Sequence, residues 1–426
     1  MRRKDFLAMN AALLGGLALP LKGRPAASLR EIEAAAGSGD EDALWAVLRG
    51  QFLLDPDWTY LNFGGLGACP LPVLNSLAEW SRVEERAPSA GHDAKRWNEV
   101  KAKLATLLGR SCRMEDLALI GGATEGVNMI LNGLPLKKGD EVITSTHEHV
   151  AVHTALLNRM HKDGIVIRLF EPDIFSGRGN VDRIARLVNG RTRLIFISHV
   201  TCTTGQRFPE REISELARSR GIWFALDGAQ APVNVLFDIV DCGVDFYTCS
   251  AHKWMMGPKR TGFLYVRQGM LEALRPHATG GGSAERYDIE TNEIVFYPTA
   301  QRYEYGTQND ALFYALGTAV DFVNAVGVER IWNRGRAMAE RFYRGLRQIP
   351  DVDSVSPREE AWRSCMIGFR MKTHDFGAVN AHLAKDKIRV RPVSEGKLNA
   401  IRVSFFLNNR MEDVDKILDS LKKLAG

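Results

Sequence analysis

The sequence predicts an α/β fold, a mostly parallel sheet with helices on both faces. Three observations carry this prediction. Short apolar runs of strand length recur from Leu117 onward, helical segments lie between most of them, and polar or glycine-rich breaks follow the strand ends. With 426 residues, 45% hydrophobic and 25% charged, the chain has room for a large core and two domains.

The amino terminus differs from the remainder. Arg2-Arg3-Lys4-Asp5-Phe6-Leu7 precedes a weakly apolar run, Ala8 to Leu19, that Pro20 ends. This basic start and short apolar core resemble a twin-arginine export signal, so residues 1–27 are read as a leader for the export machinery and the protein as periplasmic. The run is too short for a comfortable membrane span. One extra residue separates the arginine pair from Phe6, and no clean Ala-x-Ala site follows. A cytoplasmic protein with an amphipathic amino-terminal helix is the alternative.

Leu29 to Leu54 reads as a helical arm. Tyr60-Leu-Asn-Phe-Gly-Gly-Leu-Gly67 reads as a short strand entering a loop whose glycines permit close backbone approach to a ligand. A long polar helical region spans Leu71 to Leu108. Strands are then expected at Leu117–Ile120, Glu141–Thr144, Ile165–Phe170, Leu194–Ser198, Trp223–Leu226, Phe246–Cys249 and Gly262–Val266. Helices fit Glu125–Leu134, Val150–Lys162 and Pro209–Arg220.

Composition narrows the function. The formal net charge is +5 with both signs interspersed, so nothing supports nucleic-acid binding. The six cysteines are scattered and form no CxxC, which suits free buried thiols better than disulfides or a zinc site.

Open parallel sheets bind ligands beyond the carboxyl ends of their strands. There the chain places Gly121-Gly-Ala-Thr-Glu-Gly126, Thr146-His-Glu-His149 with His153, His199-Val-Thr-Cys-Thr-Thr-Gly205, Asp227-Gly-Ala-Gln230 and Ser250-Ala-His-Lys253. The first set suits a phosphate cradle at a helix start, or a plain N-cap. Lys253 alone reads as a surface charge. One cofactor uses all these groups together: pyridoxal 5′-phosphate needs a lysine amine, a carboxylate opposite its pyridinium nitrogen, donors for a phosphate and a flat partner for its ring.

The motifs Gly-Ala-Thr-Glu (122–125), Glu-His (148–149), Asp-Gly-Ala-Gln (227–230), Ser-x-His-Lys (250–253) and Arg-Val-Ser (402–404) resemble the class V aminotransferase family of fold-type I pyridoxal-phosphate enzymes. The resemblance covers nearly all of the chain after about Leu54. Residues 60–67 and Tyr303-Glu-Tyr-Gly-Thr-Gln-Asn309 are similar to the isopenicillin-N epimerase-like branch. The resemblance implies a large domain (71–305) with a mostly parallel seven-stranded sheet sandwiched by helices. A smaller α+β domain (306–426) and an arm (28–70) that joins it complete the expected chain.

Carried over by position, Lys253 is the Schiff-base lysine and the base at the substrate Cα, and Asp227 pairs with the pyridinium nitrogen. Gln230 meets ring O3′, and His149 stacks on the ring. Gly122, Ala123, Thr124, Ser250 and His252 hold the phosphate, with Thr307 reaching it from a partner subunit of a homodimer. Arg402 clamps the substrate carboxylate, and Asn62 lines the same pocket. The expected reaction is epimerisation or transamination at the Cα of an amino acid or amine, with carbon–sulfur lysis, or a non-catalytic exported binding protein, as alternatives.

Bland readings exist for each residue. Asp227 and Gln230 fit a turn and a helix start, Thr307 a cap, and Arg402 a surface partner of Glu412. His147, His149 and His153 have helical metal-ligand spacing, but no acidic or thiol cluster completes a site, and no metal is expected. The segment Ile388 to Arg402 lacks the cysteine that desulfurases carry shortly before the late arginine. Cys202 stands where those enzymes carry an asparagine near ring O3′.

Overall fold

A computed structural model describes residues 26–88 and 93–426. The expected export leader falls almost wholly outside them. The chain opens with α1 (Leu29–Gly37) and α2 (Glu41–Arg49). Ser28 caps α1 by accepting from the Glu31 N–H while the Glu31 carboxylate accepts from the Ser28 N–H. The expected single arm is thus two helices, broken at Ser38-Gly39, where Gly39 takes a positive φ. Then come β1 (Thr59–Tyr60), α3 (Leu71–Arg86) and α4 (Ala94–Leu108), so the long polar region is likewise two helices.

The alternating core follows as β2 (Leu117–Ile120), α5 (Ala123–Gly133), β3 (Glu141–Ser145), α6 (Val150–Asp163), β4 (Val166–Phe170) and α7 (Gly179–Leu187). It continues with β5 (Thr192–Ser198), α8 (Glu210–Ser219), β6 (Trp223–Asp227), β7 (Phe246–Ser250) and β8 (Gly262–Val266). These strands form a seven-stranded sheet in the order β2-β8-β7-β6-β5-β3-β4. β4, β3, β5, β6 and β7 run parallel, and β8 is antiparallel to both of its neighbours. Helices on both faces explain why β5 and β7 are buried almost throughout and read as continuous apolar runs. The edge strand β4 is largely exposed.

A hairpin, β9 (Ala284–Asp288) with β10 (Glu293–Phe296), leads to α9 (Asp310–Val326) and α10 (Val328–Leu346). The last unit holds β11 (Val352–Ser354), β12 (Met366–Met371), α11 (Phe376–Lys385), β13 (Ile388–Arg389), β14 (Arg391–Val393), β15 (Ala400–Ser404) and α12 (Met411–Ala425). Four of its strands form an antiparallel sheet, β11-β12-β15-β14. Met338, Phe342, Phe369, Ile401, Val403 and Ile417 belong to its separate core.

Packing divides the chain differently from the expected boundary at residues 305/306. Helix α9 lies on α3 and α4, and its Phe313, Leu316 and Val320 join the core of the large unit. The amino-terminal segment is shared. Ile32, Leu44, Trp45 and Leu48 bury into the large core, whereas β1 pairs in parallel with β13 of the small unit. The Ser404 N–H also donates to the Leu61 carbonyl at 2.8 Å. This stitch brings residues 60–67 between the two units.

Candidate active site

The carboxyl ends of β3, β5, β6 and β7 meet on one edge of the sheet. Asp227 ends β6, where it pairs with Ser198 of β5 and Thr248 of β7. Its backbone carbonyl accepts from the His199 N–H at 2.9 Å, and its Oδ1 accepts from the Ala229 N–H at 2.9 Å. The buried side chain is therefore aimed by the turn that follows it. Lys253 lies just beyond β7 and is also buried. Burial lowers its amine pKa, and the Asp227 carboxylate opposes that shift.

The glycine-rich loop packs on this lysine's own backbone. Gly67 N–H donates to the His252 carbonyl at 2.9 Å, and a Cβ on Gly67 would stand 2.4 Å from the Lys253 carbonyl oxygen. At Gly67 the glycine thus permits a close approach to the Lys253 segment. Gln230 locks the loop from the other side. Its Nε2 donates to the Gly64 carbonyl at 2.7 Å and its Oε1 accepts from Trp254 Nε1 at 2.8 Å. One of its two amide hydrogens is used in this way, and the other suits a ring oxygen.

At the opposite end of Lys253, Ser250 Oγ accepts from the Ala123 N–H at 2.8 Å, which joins β7 to the start of α5. Gly122 precedes that helix with φ 133°, and a Cβ there would approach Ser250 Oγ to 3.1 Å. His252 is half-buried, and its Nδ1 has no hydrogen-bond partner among the described residues. Burial and the neighbouring Lys253 charge lower its pKa to about 4. Thr124 is exposed in the first turn of α5.

His149 caps α6, its Nδ1 accepting from the Ala151 N–H at 3.2 Å. Burial lowers its pKa, with the Lys253 charge as the next cause. His147 Nδ1 lies 3.3 Å from Thr203 Oγ1, and His153 Nε2 lies 2.8 Å from the Ser145 carbonyl. Each of the three imidazoles thus has its own protein partner. Only His153 lies inside the helix, so the i,i+4 geometry of a shared metal face is not formed. Thr307 stands apart from the Lys253 cluster. It is exposed and borders two cavities, one of about 380 Å³ lined by Trp80, Arg96 and Tyr314, the other of about 600 Å³ lined by Gly280–Gly282.

The facing wall comes from the small unit. Arg402 is fully buried, which rules out the reading as a surface partner of Glu412. Its Nη1 donates to the Cys202 carbonyl at 2.8 Å and its Nη2 to Asn62 Oδ1 at 2.8 Å, while Nε has no partner among the described residues. Burial, reinforced by the nearby Arg391, pulls its pKa down to about 9. Asn62 therefore aims the arginine.

Sequence reasoning missed Arg391, its partner Glu395 and the part played by Glu148. Arg391 pairs across β14 and β15 with Arg402, donates to the Cys202 carbonyl at 3.2 Å and forms an ion pair with Glu395. Glu148 lies close enough to Asp227 to feel its charge and accepts from Ser145 Oγ and Ser198 Oγ, each at 2.5 Å. Burial pushes this carboxyl up to about 7. The signal for Arg391 was the repeat of arginine at alternate positions, Arg389 and Arg391, but only the strand register shows which one faces the site.

These residues fit a pyridine aldehyde with a phosphate arm. A buried amine and a buried carboxylate stand on neighbouring strand ends, an imidazole lies close by, and the orphaned His252 nitrogen lies beside an open helix start and a serine hydroxyl.

Known proteins agree. The sequence profile of the class-V aminotransferases matches residues 70–417. A cysteine desulfurase of Cronobacter sakazakii is 28% identical, over 86% of this chain and 93% of its own. An isopenicillin N epimerase of Amycolatopsis lactamdurans is also 28% identical, over 89% of this chain and 98% of its own. Among solved structures, a mutant of C-DES with glycine covalently linked to its pyridoxal phosphate superposes with a TM-score of 0.80 at 23% identity, covering 88% of this chain and 98% of that one. A cysteine desulfurase from Thermococcus onnurineus gives 0.78 at 22% identity, covering 89% and 97%. With the family matched across both units of a fold-type I architecture, the chain belongs to the class V aminotransferases and is an enzyme whose cofactor is pyridoxal phosphate.

Proposed function

We propose that this enzyme acts at the Cα of an amino acid, by epimerisation or transamination. The observation that carries this reading is the opposition of two walls: Lys253 with Asp227 on one side, and Arg402, aimed by Asn62, on the other. When bound, pyridoxal phosphate supplies an electron sink for the bonds at Cα. Ser250, His252 and the backbone of Gly122, Ala123 and Thr124 would hold its phosphate, Asp227 its ring nitrogen, Gln230 its ring oxygen and His149 its face.

The chain's own residues then divide the work. Arg402 receives the substrate carboxylate through a guanidinium whose Nε is uncommitted. Burial keeps a larger share of the Lys253 amine neutral than water would, so its Nζ can accept the Cα proton; a proton delivered to the opposite face of Cα gives the epimer, and one that does not return to Cα leads to the keto acid. The packed loop 64–67 fixes the lysine backbone, and with it the reach of that amine.

Geometry speaks against a persulfide reaction of the desulfurase kind. The described segment 388–404 holds no thiol, and Cys202, the cysteine at the site, is buried with its thiol pKa raised by that burial. A homodimer is part of this proposal: Thr307, exposed and away from its own chain's Lys253, would contact the phosphate of a second copy. A fully loaded enzyme that sediments as a monomer would refute that part.

The test of the main reading is spectroscopic and chemical. Protein purified with added pyridoxal phosphate is expected to absorb near the visible edge, and Lys253→Ala to lose that band. Incubation of amino acids in deuterated water then separates the reactions: Cα deuteration without keto acid for epimerisation, keto acid for transamination, sulfide for lysis. A colourless wild-type protein overturns the proposal.

A further inference from the structure

One guanidinium suffices for a substrate's α-carboxylate, yet the small unit presents two. Arg391 and Arg402 are direct cross-strand partners on β14 and β15, and both donate to the Cys202 carbonyl, at 3.2 and 2.8 Å. Like charges directly opposite on a sheet are destabilising. Burial of such a pair is tolerated where an anion neutralises it. Each arginine meets this need differently. Arg402 is sealed, held by the neutral Asn62 amide, and has no carboxylate partner among the described residues. Arg391 keeps a side chain about one-fifth exposed and pairs with Glu395, which is equally accessible.

Glu395 sits on a short loop between β14 and β15. Three of its residues, Gly396, Lys397 and Asn399, have positive φ of 59°, 55° and 45°. Glycine and asparagine accept such backbone, but Lys397 adopts it only with strain, so the loop is not held in its easiest conformation there. The loop also closes over the site's histidine segment, since a Cβ on Gly396 would come within 2.7 Å of His147 Nε2. The charges of Arg391 and Glu395 both reach His149, which places this ion pair at the cleft.

We propose that Arg391 is the receptor for a second anionic group on the substrate, with Glu395 holding its place until the substrate arrives. The inference rests on the proposed action at Cα and names the substrate class: an amino acid whose side chain ends in a carboxylate or a comparable anion. Arg402 takes the α-carboxylate, Arg391 takes the distal one, and Glu395 turns to solvent from a loop already strained. Two carboxylates held at two points also fix the Cα–H bond against Lys253, which one point alone does not do.

The test titrates the loaded enzyme with L-2-aminoadipate and with L-norvaline, which share a backbone and differ at the distal end, following the cofactor absorbance. Wild type is expected to bind the dicarboxylate at least about tenfold more tightly, as suits one charge-assisted contact. Arg391→Ala should bring that ratio close to one. Glu395→Gln, which keeps both arginines, should raise it by removing the competing anion. An unchanged ratio in Arg391→Ala, or a ratio near one in wild type, overturns the proposal. Tight dicarboxylate binding with neither Cα deuteration nor keto acid, by contrast, overturns the action at Cα and not the role of Arg391.

Discussion

On the wall that carries Lys253, the functional side chains stand at the ends of adjacent parallel strands, and Asp227 is positioned by the backbone turn that follows its own strand. On the facing wall, Arg402, Arg391 and Asn62 come from two antiparallel strands and from a segment more than three hundred residues earlier in the chain. The first wall is local in sequence and dense in hydrogen bonds to main chain. The second is assembled by tertiary contacts and is dense in charge. The difference suggests a division of labour, in which the parallel wall determines the chemistry and the antiparallel wall determines what is processed.

The largest effect that would break this comparison lies on the first wall. Lys253→Ala removes the amine that both holds the cofactor and moves the proton, so solvent exchange at Cα should fall by at least about a thousandfold. Retention of exchange in that variant would move the base elsewhere in the site. Arg402→Lys addresses the second wall. A point charge cannot reproduce the guanidinium's contacts with Cys202 and Asn62, and kcat/KM should drop by about ten- to a hundredfold, with KM carrying most of the change. The absorbance band should persist. A loss of the band would mean that the walls are not separable.

The same contrast governs what the sequence made legible. All strands of the central sheet were expected near their observed positions, because buried parallel strands read as unbroken apolar runs such as Leu194-Ile-Phe-Ile197. Asp227, Ser250 and Lys253 followed at once, since polar residues just after such runs fall on the ligand-binding edge. The second wall was legible only where a family motif supplied it, as with Arg402. Arg391 stayed hidden because its place opposite Arg402 depends on strand register across a loop with three positive φ values. Asn62 was expected to line the pocket, and its bond to Arg402 required the pairing of β1 with β13. Glu148 falls in the Glu-His motif, but its second hydroxyl partner, Ser198, lies 50 residues later on β5, where no local pattern signals it.

That buried glutamate yields the smallest and most exact separation of the two walls, since it lies wholly on the first. Its carboxyl is raised from 4.5 to about 7 by burial, with the Asp227 charge adding to the rise and the two serine hydroxyls opposing it. The folded protein therefore holds a proton here that the unfolded chain has released, and stability falls as pH rises through the native value. Between pH 6 and 8 this site should cost wild type on the order of 1 kcal/mol. His199 works in the other direction, since burial lowers it to about 4 and its contribution is lost as pH falls below 6.5. Both proteins keep His199, so it cancels when Glu148→Gln is compared with wild type. Denaturant unfolding at the two pH values should show the variant gaining that amount over wild type. Equal slopes would mean that Glu148 is ionised throughout, with its charge carried by Ser145 and Ser198, and the proton near Asp227 would be absent.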